Sequence, residues 1–277
     1  MVFQPRQPKA MLPYLQPPEL SGPLELGRVR LRQRLLELEK PAIYLWLEEV
    51  PPLEALLPQL DLLSLEERQR AEQLHLLEDR RRFLAGRLLL RTLLSRYTGI
   101  PPQDISLDRT ASGKPYWRDP PLPLQFNLSH SQQGILVGLT LQRRIGVDLE
   151  QIRPVPYWQR IAQRYFSAAE QAHLLACPPP ERDAVFLQMW TQKEALLKAM
   201  GVGLAGARRL ARDPDPAWLV LPLRVAEGYV AAVAMEQGKG SAAAAPPTLW
   251  LSQGLQGASQ ELVAVQPAAR AGLPSFS

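Results

Sequence analysis

Cysteine and histidine are nearly missing from these 277 residues: the chain has Cys177 alone, and His75, His130 and His173. One cysteine excludes an internal disulfide and a cysteine zinc cage, and so few histidines leave little for a histidine metal cluster. A reducing compartment, the cytoplasm, is the expected location. No apolar run reaches the ~18 residues that a membrane span needs, so no membrane partner is expected. The Pro-rich start carries Arg6 and Lys9 but lacks the apolar core of a secretory signal. Also absent are GxxxxGK[ST] and GxGxxG, which argues against a P-loop ATPase and a dinucleotide-binding dehydrogenase. Ser129 and His130 are neighbours, but Ser129 lacks the G-x-S-x-G elbow of a hydrolase nucleophile, so an anion-binding histidine is the better reading.

What is present suits a packed core. Hydrophobic residues make up 46% and charged residues 21%, and the length allows one large domain or two small ones. A net charge of +5 and a pI near 9.5 point to an anionic partner without naming it.

Residues 1–41 form a Pro-rich extension: 1–23 read as an extended arm, and 24–40 as a charged surface segment of ambiguous period. Residues 42–50 (AIYLWLEEV) predict a strand that Pro51 and Pro52 end. Ser64 and Glu67 form a capping box, and helical signal then runs, with a break, to Gly99. The arginines of this region, among them Arg70, Arg82 and Arg87, suit a solvated helix face. Between 105 and 145 the chain predicts short strands and turns, with Ala111–Pro115 a turn carrying Lys114. Ile135–Leu139 and Ile145–Ile152 predict strands, and further strands are expected at 217–225 and 228–235, after a loop at 204–216. From Gln237 the composition turns to Gly, Ala, Ser and Gln, a low-complexity tail (237–277) whose apolar patches 248–251 and 261–265 have the makings of docked strands.

Two places carry chemistry. Along 145–150, Ile145, Val147 and Leu149 face one way, while Gly146, Asp148 and Glu150 face the other. Asp148 and Glu150 then lie roughly 6–7 Å apart, either as a solvated strand surface or as a pair that a cation bridges, with Gly146 keeping space open beside them. The second place is the helix FLQMWTQKEALLKAMGVG, Phe186 to Gly203. At roughly 100° per residue, Phe186, Leu187, Met189, Leu196, Leu197 and Met200 share a broad arc, and Glu194 falls inside it. A carboxylate there requires compensation, either from Lys198 one turn on or from a metal. Hard oxygen ligands with no cysteine cage suit magnesium, which retains waters and meets substrate phosphate. Asp148, Glu150 and Glu194 therefore point to a magnesium-dependent enzyme acting on a phosphate ester or diphosphate.

The chain also echoes itself. Ser167–Glu170 repeats the capping box of Ser64–Glu67, and at the same offset Phe83 matches Phe186, Leu94 matches Leu197 and Arg91 matches Glu194. The expected fold class is α+β, with two similar halves and a ligand cleft between them. The halves are placed at 42–134 and 135–236, the second holding the metal site.

FNLSHS (126–131), IGVDLE (145–150), YFSAAE (165–170) and WTQKEALLKAMGVGL (190–204) occur in this order, with GKP at 113–115 and RRRFLAGR at 80–87. Together they resemble the 4'-phosphopantetheinyl transferases of the surfactin-synthetase type over roughly residues 42–235. The resemblance implies a monomer with a pseudo-twofold axis between its halves. It implies transfer of 4'-phosphopantetheine from coenzyme A to a serine of an apo acyl, polyketide or peptidyl carrier protein, releasing adenosine 3',5'-bisphosphate. By motif, Asp148, Glu150 and Glu194 would bind magnesium, with Glu194 also the base and Lys198 contacting the diphosphate. Lys114, Ser129 and His130 would contact coenzyme A, and Arg70 and Arg82 would add phosphate contacts. Lys193 neighbours the site, as a structural residue or more. Glu67 stands where some relatives carry a basic residue and is explained by helix capping. Leu174 and Leu175 mark the expected carrier surface. A magnesium-dependent nuclease or phosphodiesterase is the alternative, and a non-enzymatic module binding nucleic acid or acidic protein leaves the three carboxylates unexplained. No nucleic-acid partner is expected under the resemblance.

Overall fold

The computed structural model describes residues 42–204, 217–237, 247–253 and 263–265. The Pro-rich extension and most of the predicted 204–216 loop lie outside the described residues. Strand β1 (Ala42–Glu49) is rich in β-branched and aromatic residues and stops before Pro51. A short helix α1 (Leu53–Leu56) and a 3-10 segment lead to α2 (Leu65–Glu72). Ser64 and Glu67 make the reciprocal capping box at its start. The break then falls before α3 (Leu77–Thr98), which Gly99 ends with φ 76°. That left-handed turn suits glycine, which has no Cβ to clash.

Strands β2 (Leu107–Arg109) and β3 (Pro115–Trp117) form a small hairpin carrying Lys114 in its turn. The hairpin β4 (Leu124–Ser131) and β5 (Gly134–Leu141) follows, and then β6 (Ile145–Gln151). Helices α4 (Trp158–Tyr165), α5 (Ala168–Ala176) and α6 (Pro179–Met200) come next. Strands β7 (Trp218–Leu223) and β8 (Tyr229–Glu236) close the second sheet. The apolar patches of the tail form β9 (Thr248–Gln253) and β10 (Val263–Val265).

Besides the two-stranded β2-β3 sheet, the described residues form a five-stranded sheet of order β10-β9-β1-β5-β4 and a three-stranded one of order β6-β8-β7. Alternation along the strands decides the layers. Tyr44 and Trp46 of β1 pack with Leu84, Leu88 and Leu94 of α3, whereas Ile43 and Leu45 pack with Val147 and Leu149 of β6. Ala195 and Ala199 of α6 rest on Ala232 and Ala234 of β8. The order of layers is helix, sheet, sheet, helix, an α+β fold with its central core between the sheets.

Three expectations change. Strand β5 pairs with β1 and β4 along its length, so it is central to the first sheet and does not open the second half at 135. The 237–277 segment is not only tail, since β9 runs parallel to β1 in that same sheet. Gly146 does not hold space open: a Cβ there would collide with the Ala195 carbonyl oxygen and the Ala199 amide nitrogen. Its role is to let α6 lie against the backbone of β6.

Candidate active site

That close approach brings the carboxylates of β6 to the polar residues of α6. Asp148 is buried, 5% exposed. Its Oδ1 accepts hydrogen bonds from Ser129 Oγ at 2.8 Å and from Lys198 Nζ at 2.6 Å, whereas its Oδ2 is buried without a partner among the described residues. Glu150 Oε2 accepts from Ser131 Oγ at 2.8 Å and lies 3.5 Å from Arg153. Glu194 pairs with no cation among the described residues. Burial first, then Asp148, with Glu150 adding and Lys198 opposing, pushes its carboxyl above the ordinary glutamate value. The i,i+4 pair of Glu194 with Lys198 is thus not formed; Lys198 reaches across to β6 instead.

Lys198 is held from its backbone as well. Lys114 Nζ donates to the carbonyl oxygens of Lys198 and Ile145, both at 2.8 Å. Burial, then Arg144 and Lys198, lower the Lys114 ammonium to about 8. Two of its three donors are engaged, and the side chain lines a cavity with Gly113, Asn127 and Gly201. His130 is open to solvent on β4. Partial burial of its ring, then Lys198 and Arg82, push the imidazole below its usual value, so it is neutral at neutral pH.

Ser129 changes role. Its hydroxyl donates to Asp148 and accepts from Lys198 Nζ at 2.9 Å and Leu149 N at 3.3 Å. One donor and two acceptor positions are then filled, which leaves none for the expected contact to coenzyme A. Arg82 sits toward His130 but is tied to Asp79 at 2.5 Å. Arg70 stands elsewhere: with Arg87 and Arg109 its guanidinium surrounds the Phe83 ring, 5.4–5.9 Å from the centroid. Glu67 caps α2 and also pairs with buried Arg91 at 2.7 Å. Lys193 pairs with Glu170 of the second capping box at 2.8 Å, a structural use. Leu174 is fully buried, so of the two leucines expected at the carrier surface only Leu175 is exposed.

Among the described residues no three His, Cys, Asp or Glu side chains close into a finished metal cage. Magnesium does not require one, since it commonly takes one or two carboxylates and fills its shell with water and phosphate. The bare Asp148 Oδ2 and the crowding felt by Glu194 fit a small cation. Sequence reasoning missed Asn127 and Ser131 as site residues. The signal was there, in polar residues at every second position of β4, Gln125, Asn127, Ser129 and Ser131.

Carboxylates short of positive charge, flanked by lysine and histidine on a two-sheet α+β frame, are the equipment of an enzyme that handles phosphorylated groups. Comparison with known proteins narrows the class. Residues 144–234 match the 4'-phosphopantetheinyl transferase superfamily, and residues 50–141 match the family's N-terminal region. The chain is 38% identical over 185 residues to the 4'-phosphopantetheinyl transferase HetI of Nostoc sp., covering 62% of this chain and 78% of that protein. It is 33% identical over 146 residues to Sfp of Bacillus subtilis, covering 53% and 63%. To AcpT of Escherichia coli K12 it is 39% identical over 122 residues, covering 44% and 58%. The chain belongs to the 4'-phosphopantetheinyl transferase family. It is a transferase, which decides against the nuclease alternative. The two matched regions meet between 141 and 144, after β5, where the chain passes from the five-stranded sheet to the three-stranded one.

Proposed function

We propose that the enzyme transfers 4'-phosphopantetheine from coenzyme A to a serine of an apo carrier protein, in a cleft between two halves related by a pseudo-twofold axis. Like succession of elements supports the symmetry: a strand, a capping-box helix, then a 22-residue helix ended by a left-handed glycine, Gly99 or Gly201. One observation carries the functional reading above the others. Asp148 and Glu150 lie close enough to Glu194 to raise its carboxyl, and Lys198 pairs with a single oxygen, Oδ1 of Asp148.

In the reaction the serine oxygen bonds to the phosphorus that carries pantetheine. The bond from that phosphorus to the bridging oxygen breaks, and adenosine 3',5'-bisphosphate leaves with the electron pair. The serine proton passes to Glu194, directly or through a water; a raised carboxyl value favours that acceptance near neutral pH. Lys198, one ammonium proton still free, stabilises the charge that gathers on the leaving phosphate. His130, Arg82 and the remaining donor of Lys114 hold other phosphates, with Arg70 further out. Asp148, Glu150 and Glu194 would hold magnesium, which when bound supplies charge neutralisation at the diphosphate. We place the protein in the cytoplasm as a monomer; no described helix is long and apolar enough to cross a membrane.

The test is to incubate the protein with coenzyme A, magnesium and an apo carrier protein and to weigh the carrier. A gain of one phosphopantetheine that a chelator prevents is expected; an unchanged mass overturns the proposal.

A further inference from the structure

Among the described residues, strand β6 pairs with β8 along one edge only. An open sheet edge usually leaves a row of N–H groups without partners. Here the row is filled by side chains. Asn127 Oδ1 accepts from Val147 N at 2.8 Å, Ser129 Oγ from Leu149 N at 3.3 Å, and Ser131 Oγ from Gln151 N at 3.1 Å. Alternate residues of β4 thus meet alternate N–H groups of β6, and the edges of the two sheets are joined by side chains in place of a backbone ladder.

The two serines have a proton left over, and each aims it at a carboxylate. Ser129 donates to Asp148 and Ser131 to Glu150, both at 2.8 Å. Each serine therefore reads the backbone of one β6 residue and the side chain of the residue before it. Since the backbone bond fixes where the hydroxyl sits, the hydroxyl fixes which carboxylate oxygen turns inward. In Asp148 this leaves Oδ2 as the unpartnered oxygen.

We infer that Asn127, Ser129 and Ser131 form a rail that sets the carboxylates of Asp148 and Glu150, and that Ser131 is a positioning residue of the transfer reaction, acting through Glu150. The inference rests on the reading of Asp148 and Glu150 as functional carboxylates. Ser131 touches neither substrate nor reacting atoms in this role. It presents Glu150 in one orientation, where a free glutamate would sample several rotamers. Partners that orient a ligand in this way matter about 10- to 100-fold in affinity or activity.

The experiment uses Ser131→Cys, which preserves size but bonds weakly, and Ser131→Thr, which retains the hydroxyl. Manganese(II) serves as the probe, its binding to the full-length protein followed by electron paramagnetic resonance, with turnover measured in parallel under magnesium. Ser131→Cys is expected to weaken manganese binding about 10-fold and to lower turnover comparably, while Ser131→Thr recovers most of both. The Cys effect should vanish in a Glu150→Ala background. An undiminished effect in that background, or wild-type binding and turnover in Ser131→Cys, overturns the inference. Wild-type binding and turnover in Glu150→Ala alone would instead sink the underlying reading of the site. The double-mutant comparison remains decisive even where the Cys variant melts early.

Discussion

The two halves begin their long helical regions with the same device and end with opposite chemistry. In the first, Glu67 of the capping box pairs with Arg91 and approaches Arg87 at 3.8 Å, and Arg91 also donates to the Pro102 and Ile105 carbonyls. Arg91 is 1% exposed. In the second, Glu170 of the capping box pairs with Lys193, and the next residue, Glu194, is left without a cation among the described residues. Arg91 and Glu194 are the residues that the internal echo aligns. Phe83 and Phe186 differ in the same way: three guanidinium groups surround the first, and the rings of Phe166 and Trp190 stack on the second. One scaffold closes its charges internally, and the other leaves a carboxylate exposed to need. A repeated capping box fixes where a helix starts, but not whether the polar residues beyond it are satisfied.

The contrast can be broken most sharply at its active side. Asp148→Ala and Glu194→Ala should each lower transfer about 10²- to 10⁴-fold while the melting temperature remains within a few degrees of wild type. Near-normal turnover in either would remove the asymmetry between the halves. At the aligned position the effect should move from activity to stability. Arg91→Ala removes the close charge partner of buried Glu67, leaving the longer contact to Arg87, and should cost about 3 kcal/mol in denaturant unfolding, with kcat per folded molecule near wild type.

A smaller effect sharpens the comparison through pH. The Glu194 carboxyl is raised in the folded protein, so the folded state binds a proton that the unfolded state has released. Stability conferred by the protonated form is present below the ordinary glutamate value and is lost as pH rises toward the raised one. Glu194→Gln should therefore melt higher than wild type at neutral pH in a chelator, with the gain shrinking below the ordinary value. Saturating magnesium should remove the gain. A Gln variant that melts lower at neutral pH in chelator would show that Glu194 is already compensated. The smallest effect tests what the halves share: Ser64→Ala and Ser167→Ala should each cost about 1 kcal/mol, since both serines accept the backbone N–H of their glutamate. A large loss of activity in only one of them would mean that its cap also serves the site.

Much of this was legible in the chain. The capping boxes, the end of the first long helix at Gly99 and the alternation of 145–150 act within a few residues, and local spacing reports them. The side of β6 that bears Asp148 and Glu150 follows from period two alone. What sequence could not report depends on residues far apart. Whether Lys198 turns to Glu194 or to Asp148 is settled by how α6 lies on β6, and that depends on Gly146 having no Cβ. Ser129 is expected at coenzyme A only through the family motif FNLSHS. Its capacity is taken up by partners from two other elements. Lys114 likewise bridges to Ile145 and Lys198, a link that no pattern within its own turn signals.

The parallel pairing of β9 with β1, from Ala42 beside Thr248 to Leu47 beside Gln253, has a consequence for how the chain is made. During synthesis the ribosome releases β1 early, yet its neighbour on that edge does not exist until residue 253 has emerged. The first half can bury its α3 face before then, but one flank of β1 stays unzipped through most of translation. Pairings of such wide sequence separation form late and slowly. Completion of the amino-terminal sheet is therefore among the last events in folding, and nascent chains arrested before β9 should be cleaved by protease near β1 far faster than the released protein.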